Sequence, residues 1–435
     1  MSAESVLAVP HLTTANQGPL QEIESHLLQH QSRIEAWFRQ QWLQTPAPLY
    51  ASVDLRNSGF KLAPVDTNLF PAGFNNLNPN FMPLCIQAIQ SAMERICPQA
   101  VKLLIIPENH TRNLFYLESL AVLAETITLA GYEVKIGSLN PDIATAHTFE
   151  LPSGKSVLLE PIQRHGGQLQ IGDYLPCAIL LNNDLSGGRP DILENLDQMV
   201  FPPTELGWSD RLKSDHFTQY DHIAKELADL VEIDPWLINP LFNNCGAINF
   251  LKREGEECLV KKVRELLDAI QKKYDQYQID QEPYVIIKAD AGTYGMGIMS
   301  VKSIDEVHSL NRKQRNRMSS SKEGKAITQV ILQEGVYTDE YWGNNNAVAE
   351  PVVYMIDHFV VGGFYRVHNK RKRTENLNAP GMTFEPLAFA DTCTAPDPSQ
   401  APDAEPNRFY AYGVIARLAL LAAAREIANS QNSQS

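Results

Sequence analysis

The chain has 435 residues, of which 44% are hydrophobic and 20% are charged, a composition typical of an ordinary globular protein with two or three domains. Its formal net charge of -14 argues against a nucleic-acid backbone as partner, because binding to that backbone requires a basic face. The charge does not exclude a single nucleotide held in a local pocket.

The sequence predicts a cytoplasmic protein without a membrane partner. The six cysteines are scattered singly, with neither a CxxC pair nor a Cys/His cluster of metal-ligand spacing, which indicates reduced thiols. The first residues lack the basic stretch and apolar core of a signal peptide. The longest apolar run, YAYGVIARLALLAAA, is interrupted by Arg417 and is too short to cross a bilayer.

The N-terminal part begins with an amphipathic helix, predicted over 20–43 from apolar residues three and four positions apart. Two short strands are expected at 47–56 and 60–67, and a further helix at 82–96. The stretch DLRNSGFKLAPVDTNLFPAGFNNLNPN (54–80) overlaps both strands and is unusually rich in apolar and amide residues.

The following segments alternate between strands and helices, which predicts a parallel α/β sheet. Apolar strands are expected in 101–109, 132–139 and 177–190, the last running into a Gly-rich loop, and a helix ends at Gly131. Ligands of such sheets bind beyond the carboxyl ends of the strands. This topology brings the stretch 54–80 into the same region as Asn182, Asn183 and Asp184.

The remainder of the chain is first mainly helical (201–280) and then rich in strands. One pair of strands is predicted to form a hairpin that turns at Asp357. A closing helix over 408–428 precedes a polar tail, 429–435, that is expected to be disordered.

Residues 311–325, NRKQRNRMSSSKEGK, form a basic run. Such a run is most often a solvated loop, and this is the prediction. A mobile lid over a bound nucleotide is the alternative.

The segment VIIKADAGTYGMGIM carries the strongest local signal for chemistry. A strand delivers Lys288, and a loop with Gly292, Gly295 and Gly297 follows at once. Glycines let the backbone approach a ligand closely, successive N–H groups can cradle phosphate oxygens, and a lysine adds a positive charge. The alternative is a β-hairpin turn whose glycines supply positive φ angles.

Further polar residues follow the later strands. Gln333 and Glu334 end an apolar strand, where they could meet an adenine edge, or the strand could simply emerge into solvent. Beyond them come Glu350, Arg366, Asn376 and Asn378, for which a solvated strand end and an Asn turn are the alternatives.

Taken in order over roughly 240–435, this set resembles the ATP-grasp family, and within it the glutathione-synthetase branch. The resemblance implies two α+β lobes that grip ATP between two sheets, with Lys288 and Arg366 as catalytic residues. It also implies that ATP phosphorylates a carboxylate and that an amine or thiol attacks the acyl phosphate. The Glu-x-Asn motif that usually holds Mg²⁺ is missing near the C-terminus, so either Glu350, Asn376 and Asn378 supply the metal ligands or the metal site is rearranged.

The stretch 54–80 resembles the signature of a proteobacterial and cyanobacterial type of glutamate–cysteine ligase. The segments LLNNDLSGGRP and GWSDRLKSDHFTQYD resemble the same family. The resemblance implies ATP-dependent condensation of the glutamate γ-carboxylate with the cysteine amine, the first step of glutathione biosynthesis. Glutamate, cysteine and ATP are then the partners, with Mg²⁺ as cofactor.

An amino-acid substrate needs bases for its α-carboxylate and acids for its ammonium group. The candidate bases are Arg56, Lys61, Arg211 and Lys213, although surface ion pairs are the preferred interpretation for Arg211 and Lys213. The candidate acids are Asp54, Asp66 and Asp184, and uncharged hydrogen bonds are expected from Asn68, Asn75, Asn76 and Asn183.

The predicted fold class is α/β with α+β lobes, an N-terminal α/β substrate domain being joined to an ATP-grasp-like C-terminal half. Two alternatives remain: another carboxylate–amine ligase of this fold, or a non-catalytic amino-acid or nucleotide sensor. The predicted parts are an N-terminal helical segment (1–46), a substrate-binding domain (47–200), a mainly helical connection (201–280), a nucleotide-binding region (281–428) and the tail (429–435).

Overall fold

The computed structural model describes residues 12–14, 19–110, 112–292, 297–320, 326–386 and 408–432. Within these ranges no helix is both long and apolar enough to cross a membrane. Gly295 of the predicted Gly loop lies outside the described residues, as does the Pro/Asp-rich sequence TAPDPSQAPDAEP (394–406), which is expected to be a loop.

The helices follow the apolar periodicity of the sequence in most places. They are α1 (Pro19–Gln29), α2 (Gln31–Gln44), α3 (Met82–Ile96), α4 (Leu114–Leu129), α5 (Lys213–Val231), α6 (Glu256–Gln276), α7 (Ile304–His308), α8 (Arg312–Ser319) and α9 (Arg408–Asn432).

Three predictions about helices need correction. The helix expected over 20–43 is divided at His30 into α1 and α2. The basic run 311–325, predicted as a loop, contains α8, because Asn311 and Gln314 form a capping box that starts a helix. Helix α9 continues to Asn432, so the first residues of the predicted disordered tail are helical.

The strands fall into separate sheets, one of them largely parallel. They are β1 (Leu12–Thr14), β2 (Tyr50–Asn57), β3 (Leu62–Asn68), β4 (Lys102–Pro107), β5 (Glu133–Ser138), β6 (His147–Glu150), β7 (Ser156–Pro161), β8 (Gln163–His165), β9 (Gln168–Gln170), β10 (Ala178–Asn182), β11 (Met199–Phe201), β12 (Phe242–Cys245), β13 (Val285–Ala289), β14 (Ile298–Val301), β15 (Val330–Glu334), β16 (Glu340–Trp342), β17 (Ala347–Ile356), β18 (Phe359–His368) and β19 (Thr383–Pro386).

The parallel α/β sheet predicted from the alternating segments is confirmed. Its strand order is β11-β10-β4-β5-β7-β6, and every neighbouring pair except β6–β7 is parallel. Strands β4 and β10 are almost continuously apolar because helices and loops bury both of their faces. Asn182 ends β10 and donates through Nδ2 to Pro71 O at 2.9 Å, so the stretch 54–80 does lie at this edge.

A second sheet is antiparallel and joins distant parts of the chain. Strands β17 and β18 form the predicted hairpin with its turn at Asp357, and β16 and β19 extend it. Strand β2 pairs with β17 and with β3. Strands β2 and β3, which lie in the predicted substrate-binding domain (47–200), therefore share a sheet with strands of the C-terminal half.

The third sheet has the order β12-β15-β13-β14 and is antiparallel throughout. Its central strands β13 and β15 carry Lys288 and Gln333, as the sequence predicted. Together the sheets and helices confirm the α/β fold class.

Helix α9 lies in the middle of the protein. It packs against α5, β3, β2 and β17, and its residues from 410 to 424 are buried on every side, as expected of a helix that is apolar all round. The one charge in this run, Arg417, bonds to both carboxylate oxygens of Glu35 at 2.7 and 2.8 Å.

We predict that Leu420→Ala in α9 lowers the free energy of unfolding by about 2–5 kcal/mol, because it removes a fully buried side chain and leaves a cavity. The control is Leu43→Ala in α2, where the leucine is 79% exposed and the expected change is within about 0.5 kcal/mol. Urea unfolding monitored by circular dichroism measures the free energy of unfolding of both variants. Equal losses would contradict the central, buried position of α9.

Candidate active site

The antiparallel sheet and the four-stranded sheet meet at Lys288. Its ammonium group donates to Val65 O of β3 at 2.7 Å and to Gln333 Oε1 of β15 at 2.5 Å. Burial lowers the pKa of Lys288, and the nearby Asp66 carboxylate offsets part of that effect. A positive charge is thus held between two sheets, and this region around Lys288 is here called the cleft.

The antiparallel sheet contributes a cluster of four charged side chains to the cleft. Register places Glu350 of β17 opposite Arg366 of β18, and Asp54 opposite Val352, so the charged groups share one face. Arg366 Nη1 lies 2.7 Å from Glu350 Oε1 and 2.8 Å from Asp54 Oδ2. Burial alone would lower the pKa of Arg366, but these two carboxylates raise it, so the guanidinium remains charged.

Arg56 is the fourth member of the cluster, and its donors are bonded to groups inside the protein. Its Nε donates to Glu350 Oε2 at 3.0 Å, while its Nη atoms donate to the carbonyl oxygens of Val336 and Glu375. Arg56 therefore fastens β2 to the surrounding chain. This geometry favours a positioning role over the predicted direct contact with a substrate carboxylate.

Asp66 lies near two further cations, Arg211 and Lys213, at the beginning of α5. Arg211 and Lys213 are only 5% and 7% exposed, so the preferred interpretation of both as surface ion-pair residues is wrong. Burial alone would raise the pKa of Asp66, but Lys213, Lys288 and Arg211 together lower it below its ordinary value. Asp66 is thus an ionised carboxylate surrounded by cations.

The residues from Trp208 to His216, here called the junction segment, connect the sheets around this cluster. Trp208 N donates to Asp184 O, and Trp208 O accepts from Gly292 N, both at 2.8 Å. Lys213 Nζ donates to Gly292 O at 2.6 Å and lies 3.9 Å from the centre of the Trp208 ring. The sequence signal that could have identified the segment is two cations next to a tryptophan at a helix start.

The start of α5 is also fastened to α9. Arg211 makes a two-pronged contact with Glu426 through Nε at 2.8 Å and Nη2 at 3.0 Å, and donates through Nη1 to Thr67 O at 2.7 Å. His216 Nδ1 contacts the same carboxylate. Burial opposes the charge of Glu426, but Arg211 and His216 lower its pKa to about 2.

Two glycines of the predicted Gly loop lie among the described residues. Gly292 and Gly297 have φ angles of 101° and 63°, which residues with a side chain rarely adopt. Both a phosphate cradle and a hairpin turn require such angles. The loop begins beside Lys288 and Lys213, and this position favours the cradle.

Glu334 does not match its predicted contact with an adenine edge. Its carboxylate is buried and bonds to Lys61 Nζ at 2.7 Å, Leu241 N at 2.9 Å and Trp236 Nε1 at 3.1 Å. Because Lys61 is buried and paired with Glu334, it is not available to a substrate carboxylate. Gln333 differs, because its Nε2 is buried and has no hydrogen-bond partner among the described residues.

The predicted amide residues, together with Asp184, divide into turn formers and possible ligand contacts. Asn68 Oδ1 accepts from Phe70 N at 2.9 Å, Asn183 Oδ1 from Leu185 N at 3.0 Å, and Asp184 Oδ1 from Ser186 N at 2.9 Å. Asn75 Oδ1 is buried without a hydrogen-bond partner in the described part of the chain. Asn76, its neighbour, is half-buried.

The loop that carries Asn75 and Asn76 is held in place from three sides. Ser119 Oγ accepts from Gly73 N at 2.7 Å, Asn182 Nδ2 donates to Pro71 O, and Tyr354 OH donates to Ala72 O. Its path is therefore fixed by contacts from both the parallel and the antiparallel sheet.

The predicted metal ligands Glu350, Asn376 and Asn378 do not fit a Mg²⁺ site. Each oxygen of Glu350 accepts from an arginine, Asn376 Oδ1 accepts from Asn378 N at 2.9 Å, and Asn378 is exposed. Among the described residues no group of three or more His, Cys, Asp or Glu side chains could hold a metal ion. Both oxygens of Glu350 are thus already bonded to arginine side chains.

Comparison with known proteins decides the family. A family model described as "Glutamate-cysteine ligase" (GshA) matches residues 24–427. The chain belongs to this family. The prediction from the stretch 54–80 is therefore confirmed, and with it the enzyme class, a ligase.

One solved structure is similar to this chain in both sequence and fold. It is a protein of Methylobacillus flagellatus KT, provisionally named gamma-glutamylcysteine synthetase, with 61% sequence identity and a TM-score of 0.90. The alignment covers 97% of this chain and 99% of that chain. Among curated proteins, none matches this chain.

Two other solved structures are similar only distantly. One is a glutathione synthetase-like effector from Globodera pallida (9% identity, 84% of this chain and 81% of that chain, TM-score 0.37). The other is D-alanyl-alanine synthetase A from Vibrio cholerae (9% identity, 73% and 81% covered, TM-score 0.30). Scores this low support no argument about this ligase family member.

We predict that Glu426→Gln lowers the free energy of unfolding near neutral pH by about 3–5 kcal/mol, because Arg211 loses its buried counter-ion. The folded pKa of Glu426, about 2, lies below its ordinary value of 4.5. The stabilisation by this carboxylate is thus present above pH 4.5 and lost as the pH falls towards 2, so the difference between the two proteins narrows in acid.

The control for this prediction is Glu375→Gln, which removes a half-exposed pair with Arg371. Its expected cost near neutral pH is below about 1 kcal/mol. Urea unfolding midpoints over a pH series measure all three proteins. A difference for Glu426→Gln that stays constant down to acid pH would contradict the assignment.

Proposed function

We propose that the protein is an ATP-dependent glutamate–cysteine ligase that forms γ-glutamylcysteine through a γ-glutamyl phosphate. The observation that carries the proposal is the buried group of Lys288, Lys213 and Arg366 where two sheets meet, in a chain of the glutamate–cysteine ligase family. Such a group suits a reaction between a polyanionic nucleotide and an amino acid.

The triphosphate of ATP is proposed to lie between Lys288 and Lys213, beside Gly292. Both ammonium groups are buried, where charge–charge attraction is stronger than in water. Gln333 Nε2 is a buried donor without a described partner and would meet an acceptor of the nucleotide. This grip between two sheets is the ATP-grasp arrangement that the sequence resembles.

Arg366 is proposed to act on the reacting groups. Its Nη atoms hold Asp54 and Glu350, whereas Nε is buried without a partner among the described residues. In the first step a γ-carboxylate oxygen of glutamate attacks the terminal phosphorus, and the bond to ADP breaks. In the second step the cysteine nitrogen attacks the acyl carbon, phosphate leaves and the amine loses a proton, with Arg366 Nε offsetting negative charge on the transferred group.

The amino-acid substrates are proposed to lie beside Asp54, Asp66, Asn75 and Asn76. Asp66 is ionised and is suited to an ammonium group, and Asn75 Oδ1 offers an unpaired acceptor. Mg²⁺ belongs to the proposal as the ion that ordinarily accompanies ATP phosphates. No residue of this chain is assigned to the metal. The proposed localisation of the enzyme is the cytoplasm.

We predict that purified protein incubated with ATP, Mg²⁺ and glutamate releases phosphate only when cysteine is added, with γ-glutamylcysteine formed in equal amount. Phosphate release and mass spectrometry of the product measure this. Release with a different amine would replace the proposal by another ligase of the same fold. Nucleotide binding without turnover in any mixture would replace it by a sensor.

The matched variants for this assay are Arg366→Lys and Arg95→Lys. Both arginines bond to an aspartate, but Arg95 pairs with Asp357 outside the cleft. Lysine cannot reproduce the planar donor set, so Arg366→Lys is expected to lose about 100-fold or more in kcat. Arg95→Lys is expected to remain active.

We predict that the affinity for ATP falls as the pH rises through about 8, the pKa to which burial lowers Lys213. The charged ammonium attracts the triphosphate and the neutral amine does not, so affinity falls by up to about tenfold per pH unit. Isothermal titration calorimetry with ATP measures the dependence. Lys213→Met should flatten it, whereas Lys225→Met, at an exposed position of the same helix, should not.

A further inference from the structure

Two cysteines outside the cleft lie in direct contact. Cys245 Sγ and Cys258 Sγ are 2.7 Å apart, and both are free thiols. Cys245 ends β12 and is buried, whereas Cys258 lies near the start of α6 and is exposed. A sulfur–sulfur bond of about 2.05 Å needs only a small further approach of the two atoms.

The contact is part of the fold and does not arise from two loose loops. Helix α6 packs directly against β12. The chain between them is held by Ile248 N, which donates to Thr328 O at 2.9 Å, and by Asn249 N, which donates to Glu254 O at 3.0 Å. The sulfur atoms are therefore kept together while both thiols are reduced.

We propose that Cys245 and Cys258 form a thiol–disulfide site that reacts with low-molecular-weight disulfides. The Cys258 thiolate attacks one sulfur of the small disulfide, the bond between its sulfurs breaks, and the first small thiolate leaves. The Cys245 sulfur then attacks the Cys258 sulfur and releases the second. The two protein thiols are oxidised, the small disulfide is reduced, and the two protons lost by the protein pass to the leaving thiolates.

Accessibility fixes the order of these steps. Cys258 is exposed and can meet a small disulfide in solution, whereas Cys245 is only 3% exposed. Burial and the neighbouring Cys258 raise the pKa of the Cys245 thiol to about 12, so it remains protonated while Cys258 reacts first. Cys245 then acts on a partner already in contact with it.

The new bond would connect α6 to the sheet that bears Lys288. Cys245 lies opposite Val330 of β15, the strand that also carries Gln333. Oxidation would therefore stiffen an edge of the four-stranded sheet and raise the thermal unfolding temperature. This inference does not depend on the proposed ligase reaction.

The test treats the full-length protein with glutathione disulfide and maps its cysteine peptides by mass spectrometry. The expected product is a linked pair of peptides containing Cys245 and Cys258, two hydrogens lighter than the reduced pair and restored by dithiothreitol. Cys245→Ser should stop the reaction at a mixed disulfide on Cys258, and Cys258→Ser should prevent both products.

Cys177 is the matched control within the same molecule, because it is an exposed thiol. It is expected to form a mixed disulfide and to proceed no further. A mixed disulfide that accumulates on Cys258 in the unmodified sequence, without the linked peptides, would overturn the proposal. Linkage of either cysteine to a different partner, such as Cys393, would overturn it equally, and neither result depends on whether a variant folds.

Discussion

The cleft depends on one constraint: charges that are removed from water must have partners. Burial of an isolated ion costs several kcal/mol or more, and only a well-placed counter-ion offsets that cost. Glu350 meets this need for two arginines at once, since each of its oxygens accepts from one of them. Strand β17 brings this carboxylate between β2 and β18, and Asp54 of β2 adds a second counter-ion for Arg366.

The same constraint separates residues that hold the cleft from residues that can face a ligand. Arg56, Lys61, Arg211 and Glu334 are engaged with partners inside the protein. Arg366 Nε and Gln333 Nε2 retain a buried donor without a described partner. The first group holds the cleft together, and the second group is where the proposed function places contacts with the nucleotide and the reacting groups.

Local patterns in the sequence predicted the elements well. Alternation between apolar strands and helices predicted the parallel sheet, and a lysine before a Gly loop predicted β13. Both predictions succeeded because each pattern is local in the sequence. Burial and pairing partners were harder to predict. Arg211 and Lys213 resemble surface residues in sequence. Their partners when buried are distant in the chain: Glu426, more than two hundred positions away, for Arg211, and the Gly292 carbonyl oxygen for Lys213.

The pairing of β2 with β17 has a consequence for how the chain folds. Residues 50–54 pair with residues 352–356, so a large loop must close before this sheet exists. Non-local pairings of this kind raise the contact order and slow folding. During synthesis the parallel sheet can form early, but the first strands of the cleft must wait until most of the chain has left the ribosome. Strand β2, which overlaps the stretch 54–80, is thus synthesised early but can pair with β17 only late in folding.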